Sequence, residues 1–102
     1  MKNRISNLLL VFMLGFTFTM YAQQKTVTGV ITDAADGSVL PGATIIVKGT
    51  TTGVTSDFDG KYSITVNEND TLLITFMGYY DQEVSVQGKT IINIQLEVNK
   101  NL

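Results

Sequence analysis

The chain has 102 residues, seven basic side chains against nine acidic ones, and neither histidine nor cysteine. That excludes zinc sites built on those ligands, a histidine-assisted serine or cysteine nucleophile, thiol redox work and disulfides, and the absence of a basic stripe argues against nucleic acid. One small domain is left to stand on its core, where each buried Val, Ile, Leu or Phe contributes ~1.5–3 kcal/mol against ~1–2 kcal/mol lost per ordered residue.

Lys2 and Arg4 head an apolar run over residues 8–16, and a more polar stretch ends at Ala22. This is the layout of a cleavable secretory signal peptide, residues 1–22. The run is short of the ~20 apolar residues that cross a bilayer. Met20 departs from the small-residue rule at the position before the cut, so cleavage can fall a residue or two away. The remainder keeps five lysines (Lys25, Lys48, Lys61, Lys89, Lys100) against nine carboxylates, about −4, a mildly acidic soluble body.

No stretch after Ala22 keeps a 3.6-residue apolar repeat; short alternating runs separated by turn residues dominate. Residues 25–33 predict a first strand, with Val27, Gly29 and Ile31 on one face. Residues 34–38 are a loop. The stretch 40–62 then organises the chain. Pro41-Gly42 sets a fixed φ before a residue that tolerates positive φ, as a type II turn needs. Ala43, Ile45 and Val47 share a face, and Gly49 to Gly53 turn the chain into a short strand over 54–56. Asp57-Phe-Asp59-Gly60 closes the far end, with carboxylates for nearby N–H groups and Gly60 for a left-handed position.

Lys61–Asn67 alternates, with Tyr62, Ile64 and Val66 inward. Residues 71–77 are apolar on both faces and predict a central strand covered on both sides, which Gly78 ends in a bulge or tight bend. Residues 79–86 alternate again with Val84 and Val86 inward. Residues 87–89 turn the chain, and 90–96 form the last strand with Ile92, Ile94 and Leu96 inward. The polar end from Glu97 is expected to fray. About seven short strands with turn signals every ~8–12 residues are the pattern of an all-β, seven-stranded antiparallel sandwich, occupying residues 23–97 with a tail at 98–102.

Few residues bear chemistry. Asp57 and Asp59 would share a face on a strand, but as paired glycosidase acids they need a cleft that so small a sandwich rarely offers. Asp57-Phe-Asp59-Gly60 has part of a calcium loop. With Gly60 at position 6, however, Thr55 stands at position 1 and Val66 at position 12, where acidic groups are required. Gly49-Thr-Thr-Thr-Gly53 is too short for a phosphate loop and lacks the following Lys-Ser/Thr and helix. Phe58, Tyr62, Phe76, Tyr79 and Tyr80 read as packing first; by phase Tyr62 and Phe76 belong to the core, Phe58 and one of the paired tyrosines are left for the surface, and sugar stacking on Phe58, Tyr79 or Tyr80 is the alternative. No cofactor or metal is expected, and no catalytic residue is assigned.

With these residues in view, the chain resembles the carboxypeptidase regulatory-like domain, a transthyretin-like β-sandwich, in the form found in SusC/RagA-type TonB-dependent outer-membrane receptors. The resemblance rests on Val27-Thr-Gly-Val-Ile-Thr-Asp33, Leu40-Pro-Gly-Ala-Thr-Ile-Ile-Val-Lys-Gly-Thr50, Thr52-Gly-Val-Thr-Ser-Asp57, Asp59-Gly-Lys-Tyr62 and Phe76-Met-Gly-Tyr79, in that order. It implies a non-catalytic module at the periplasmic face of the outer membrane. The module would be a receptor's N-terminal fragment or a freestanding copy, and peptidase activity does not carry over. Its implied partners are proteins of the nutrient-uptake machinery, taken up by edge-strand pairing; the first strand and the last are the candidate edges. A freestanding, secreted carbohydrate- or cell-surface-binding sandwich is the alternative.

Overall fold

A computed structural model describes residues 24–101. The expected signal peptide, residues 1–22, lies outside the described residues. Within them the chain forms seven strands and no helix: β1 (Gln24–Asp33), β2 (Thr44–Val47), β3 (Gly53–Thr55), β4 (Lys61–Asn67), β5 (Thr71–Thr75), β6 (Gln82–Ser85) and β7 (Ile94–Leu96). They make two sheets, ordered β4-β1-β7 and β3-β2-β5-β6. The alternating residues meet between them. Val27, Ile31, Ile45, Leu72, Ile74 and Leu96 are fully buried, and Tyr62, Ile64 and Val66 are within a few per cent of it. The expected seven-stranded sandwich is therefore the fold.

One pairing departs from the antiparallel expectation: β7 runs parallel to β1. β6 ends beside the β4–β5 turn, where the Val86 and Gln87 N–H groups donate to the Asp70 and Glu68 carbonyls. That turn abuts the start of β1, since Gln24 pairs with Asn67. The connection from β6 thus changes sheet without changing pole, and β7 must set off in the direction of β1.

The last strand is also shorter than 90–96. The Ile92 carbonyl leaves the ladder to accept from the Tyr62 hydroxyl at 2.6 Å, and the Val30 N–H turns to Asn93 Oδ1 at 3.0 Å. Regular pairing resumes only at Ile94. Gly29 makes this possible, because a Cβ there would lie 1.8 Å from the Ile92 oxygen.

β1 is not an edge. It is held by β4 on one side and β7 on the other, so the unpaired edges are β3, β4, β6 and β7. β5 is central as expected, but only one of its faces is covered. Leu72 and Ile74 are buried, whereas Leu73 is partly exposed between Ile46 and Glu83 and Met77 is 94% exposed. A two-layer sandwich has no third layer to place over that face. Nor does the described part of the chain's end stand free of the body. The Tyr80 N–H donates to the Glu97 carbonyl and the Asn99 N–H to the Gly78 carbonyl, both at 2.9 Å.

Ile64, 2% exposed, lies in the middle of this core. Ile64→Ala should cost ~2–5 kcal/mol in denaturant unfolding. Asn67→Ala should cost far less, because the Asn67 Oδ1 is buried without a partner and its removal strands nothing.

Candidate interaction surface at one pole of the sandwich

Four connections lie at the pole where β1 ends and β2 begins: residues 34–43, 56–60, 76–81 and 97–101. Their shape is set by turn chemistry. Gly42 has φ +80°, as the third residue of a type II turn requires. Ser56, 6% exposed, locks this turn. Its hydroxyl donates to the Leu40 carbonyl at 2.6 Å and accepts the Ala43 N–H at 2.9 Å. Asp57 caps the next turn, one carboxylate oxygen taking the Asp59 and Lys61 N–H groups, each at 2.9 Å. Gly60, φ +75°, completes it, and its carbonyl accepts the Ile31 N–H at 2.8 Å. Gly78, φ +86°, forms the turn that ends β5. Gly49, φ +85°, sits in a loop at the opposite pole. Gly53 is no turn residue but the first residue of β3, paired with Ile46.

A buried carboxylate fastens the loops together. Asp33, 7% exposed, accepts the Tyr79 hydroxyl at 2.7 Å on one oxygen; the other takes the Ala35 and Asp36 N–H groups at 2.7 and 3.2 Å. The Tyr79 bond, then the Ala35 N–H, hold the Asp33 carboxyl below its ordinary pKa against the opposing effect of burial, with Asp36 adding to the lowering. The same bond raises Tyr79. A lowered carboxyl contributes stability that is present above the ordinary carboxylate pKa and is lost as pH falls through the folded value.

Tyr62 behaves oppositely. Burial pushes it up to about 12, so its contribution is intact below its unfolded pKa near ~10 and is lost as pH rises through the folded value. Melting midpoints by circular dichroism should therefore hold to about pH 10 and fall towards 12. Tyr62→Phe, which leaves the Ile92 carbonyl without its donor, should melt lower at neutral pH and lose part of that alkaline fall.

The aromatic side chains expected mainly to pack divide into packed and exposed ones. Phe58 is 93% exposed on the Asp57–Gly60 turn, while Tyr79 spends its hydroxyl on Asp33 and packs on Phe76 with ring centroids 5.4 Å apart. Tyr80 lines a groove. Asp57 and Asp59 are likewise no acid pair, because the Asp57 carboxylate is committed to backbone N–H groups.

The topology instead gathers charge and apolar surface. Among the described residues, five of the six large exposed apolar side chains, Val39, Phe58, Met77, Tyr80 and Val98, lie on the four connections of this pole; Ile91 is the exception. Asp33, Asp36, Asp57, Asp59, Asp81 and Glu97 lie at this end with only Lys61 and Lys100, six carboxylates against two lysines and a net −4. The rest of the described chain holds Glu68, Asp70 and Glu83 against Lys25, Lys48 and Lys89, three against three. Both ion pairs among the described residues, Lys25–Glu68 and Lys48–Glu83 at 2.9 Å each, belong to that balanced part. The Lys25 ammonium, by hydrogen bond first, lowers the Glu68 carboxyl. A groove at the acidic end is lined by Tyr80, Asp81, Gln82, Asn93, Gln95 and Glu97, where the lead-in to β6 passes β7.

Among relatives, the chain is 40% identical over 101 residues to the TonB-dependent receptor P3 of Formosa agariphila, covering 98% of this chain and 10% of that protein. It is 38% identical over 82 residues to the TonB-dependent receptor SusC of Bacteroides thetaiotaomicron, covering 80% of this chain and 8% of that one. The chain thus spans about a tenth or less of the length of these relatives. Among solved structures, a type II cohesin–X-dockerin complex from Acetivibrio cellulolyticus shares the fold at a TM-score of 0.54 and 24% identity, over 70% of this chain and 51% of that one. Residues 27–102 match the CarboxypepD_reg-like domain, and with that match over most of its length the chain belongs to the CarboxypepD_reg-like domain family.

Proposed function

We propose that this chain is a non-catalytic structural and interaction domain of a SusC/RagA-like TonB-dependent outer-membrane receptor, one that takes up a nutrient such as a glycan or a peptide. It works on the periplasmic face of the membrane, and transport belongs to the rest of the receptor. Its task is to hold another protein segment of the uptake machinery. The observation that carries this reading is the segregated pole, where exposed apolar side chains and all of the net charge coincide on a fold whose relatives are such receptors. Exposed apolar side chains gathered at one end with one sign of charge favour a contact surface over a solvated end.

The test is removal of residues 24–101 from a full-length receptor of this kind. Uptake should fall while the barrel still reaches the outer membrane. Unchanged assembly, energy coupling and uptake would end the proposal.

A further inference from the structure

We propose that the groove beside β7 receives an extended, lysine- or arginine-bearing segment of a partner protein. This rests on the reading above and names the chemistry of the partner. The groove is lined by two carboxylates (Asp81, Glu97), three amides (Gln82, Asn93, Gln95) and Tyr80, with no basic side chain. Neither carboxylate belongs to an ion pair among the described residues, and neither side chain takes part in a hydrogen bond there. Glu97 and Val98 also line a second hollow with Ala34, Ala35 and Lys100, so the acidic groove runs into a less polar one. A segment that alternates cationic and apolar side chains matches both.

The backbone offers a complement of its own. Thr90 and Ile92 direct their carbonyl and N–H groups to Thr28, and the Leu96 carbonyl accepts from Ala34. Period-two alternation therefore turns the main-chain groups of Gln95 away from β1. β7 is an edge strand; its continuation at Glu97 is already taken by the Tyr80 N–H, so an extended segment can add through main-chain bonds at Gln95 while Asp81 and Glu97 choose its charge.

Charge argues against the other occupants. A second copy placed pole to pole would set −4 against −4, and an anionic lipid surface would be repelled in the same way. The favoured occupant is a cationic protein segment.

The test is a titration of the isotope-labelled chain with a peptide of alternating lysine and valine, about ten residues long, the span of a long strand. Amide shifts should concentrate on residues 80–82 and 93–98, and the affinity should fall steeply with salt. The variant carrying Asp81→Lys and Glu97→Lys should bind at least ~10-fold more weakly with an unchanged melting temperature. A peptide with glutamate in place of lysine should not bind. Equal binding of the two peptides, shifts confined to the opposite pole, or shifts produced only by a neutral oligosaccharide would overturn the proposal. If removal of the domain abolishes uptake yet the lysine peptide fails to bind, the partner chemistry is wrong and the interaction role stands. If removal leaves uptake intact, that role falls whatever the peptide does.

Discussion

Gly29→Ala is expected to destabilise the domain by about 3 kcal/mol or more, the upper end of overpacking penalties. The added methyl carbon would lie 1.8 Å from the Ile92 oxygen, 2.6 Å from its carbonyl carbon and 2.9 Å from a Tyr62 ring atom. Two of these are backbone atoms, which cannot rotate aside as a flexible side chain would. If the segment leading into β7 moves out to make room, the 2.6 Å bond from the Tyr62 hydroxyl to the Ile92 carbonyl breaks, and a buried donor and acceptor are left unpaired at a further cost. For a domain whose total stability is on the order of 5–15 kcal/mol, the variant should be largely unfolded at modest denaturant. Chemical denaturation followed by circular dichroism measures this directly. A midpoint equal to that of the unaltered chain would show that Gly29 and Ile92 do not approach as described.

The second large effect is expected at Gly60. Gly60→Val places a β-branched residue at φ +75°, a region such side chains rarely enter, with strain of about 1–3 kcal/mol. Its Cβ would also meet the Ile31 oxygen at 2.8 Å, the Val39 Cβ at 3.0 Å and the Leu40 nitrogen at 3.3 Å. Strain and crowding act together, so a loss of about 3 kcal/mol or more is expected. Gly42→Val isolates the first of these. It shares the positive φ, but its Cβ would meet nothing within 4 Å. It should therefore be the milder variant of the two in the same melting experiment. Equal losses would mean that the packing around Gly60 contributes nothing.

Much of this fold was legible in the residues because its signals are local. The alternation of Tyr62, Ile64 and Val66 fixes β4 and its buried face, and Pro41-Gly42 and Asp57-Phe-Asp59-Gly60 announce their turns. What was not legible is non-local. The expectation of an edge at β1 fails because nothing in residues 25–33 says that both β4 and β7 will flank it. The two-sided apolar character of residues 71–77 suggests burial on both faces, whereas Leu73 is only partly covered and Met77 is left in water. Gly29 did carry a signal, since a glycine on the inward face of a strand often marks a close backbone approach. Ser56 carried none, because its partners Leu40 and Ala43 come near only through the turn.

The polar segregation of charge lies between these cases. Asp36, Asp57, Asp59, Asp81 and Glu97 are scattered along the sequence. In a sandwich of short strands, however, alternate connections return to the same end, and the 34–43, 56–60, 76–81 and 97–101 segments are such alternates. The sequence therefore held the charges but not their company.

The most direct measurement is substrate uptake by a full-length receptor whose module carries Phe58→Ser, Asp59→Lys, Asp81→Lys and Glu97→Lys. None of these four side chains takes part in a hydrogen bond or ion pair among the described residues, so the module should stay folded. Uptake should drop towards the level seen when the module is removed altogether. Uptake equal to that of the unaltered receptor, with the module folded and the barrel in place, would mean that this end of the sandwich holds nothing.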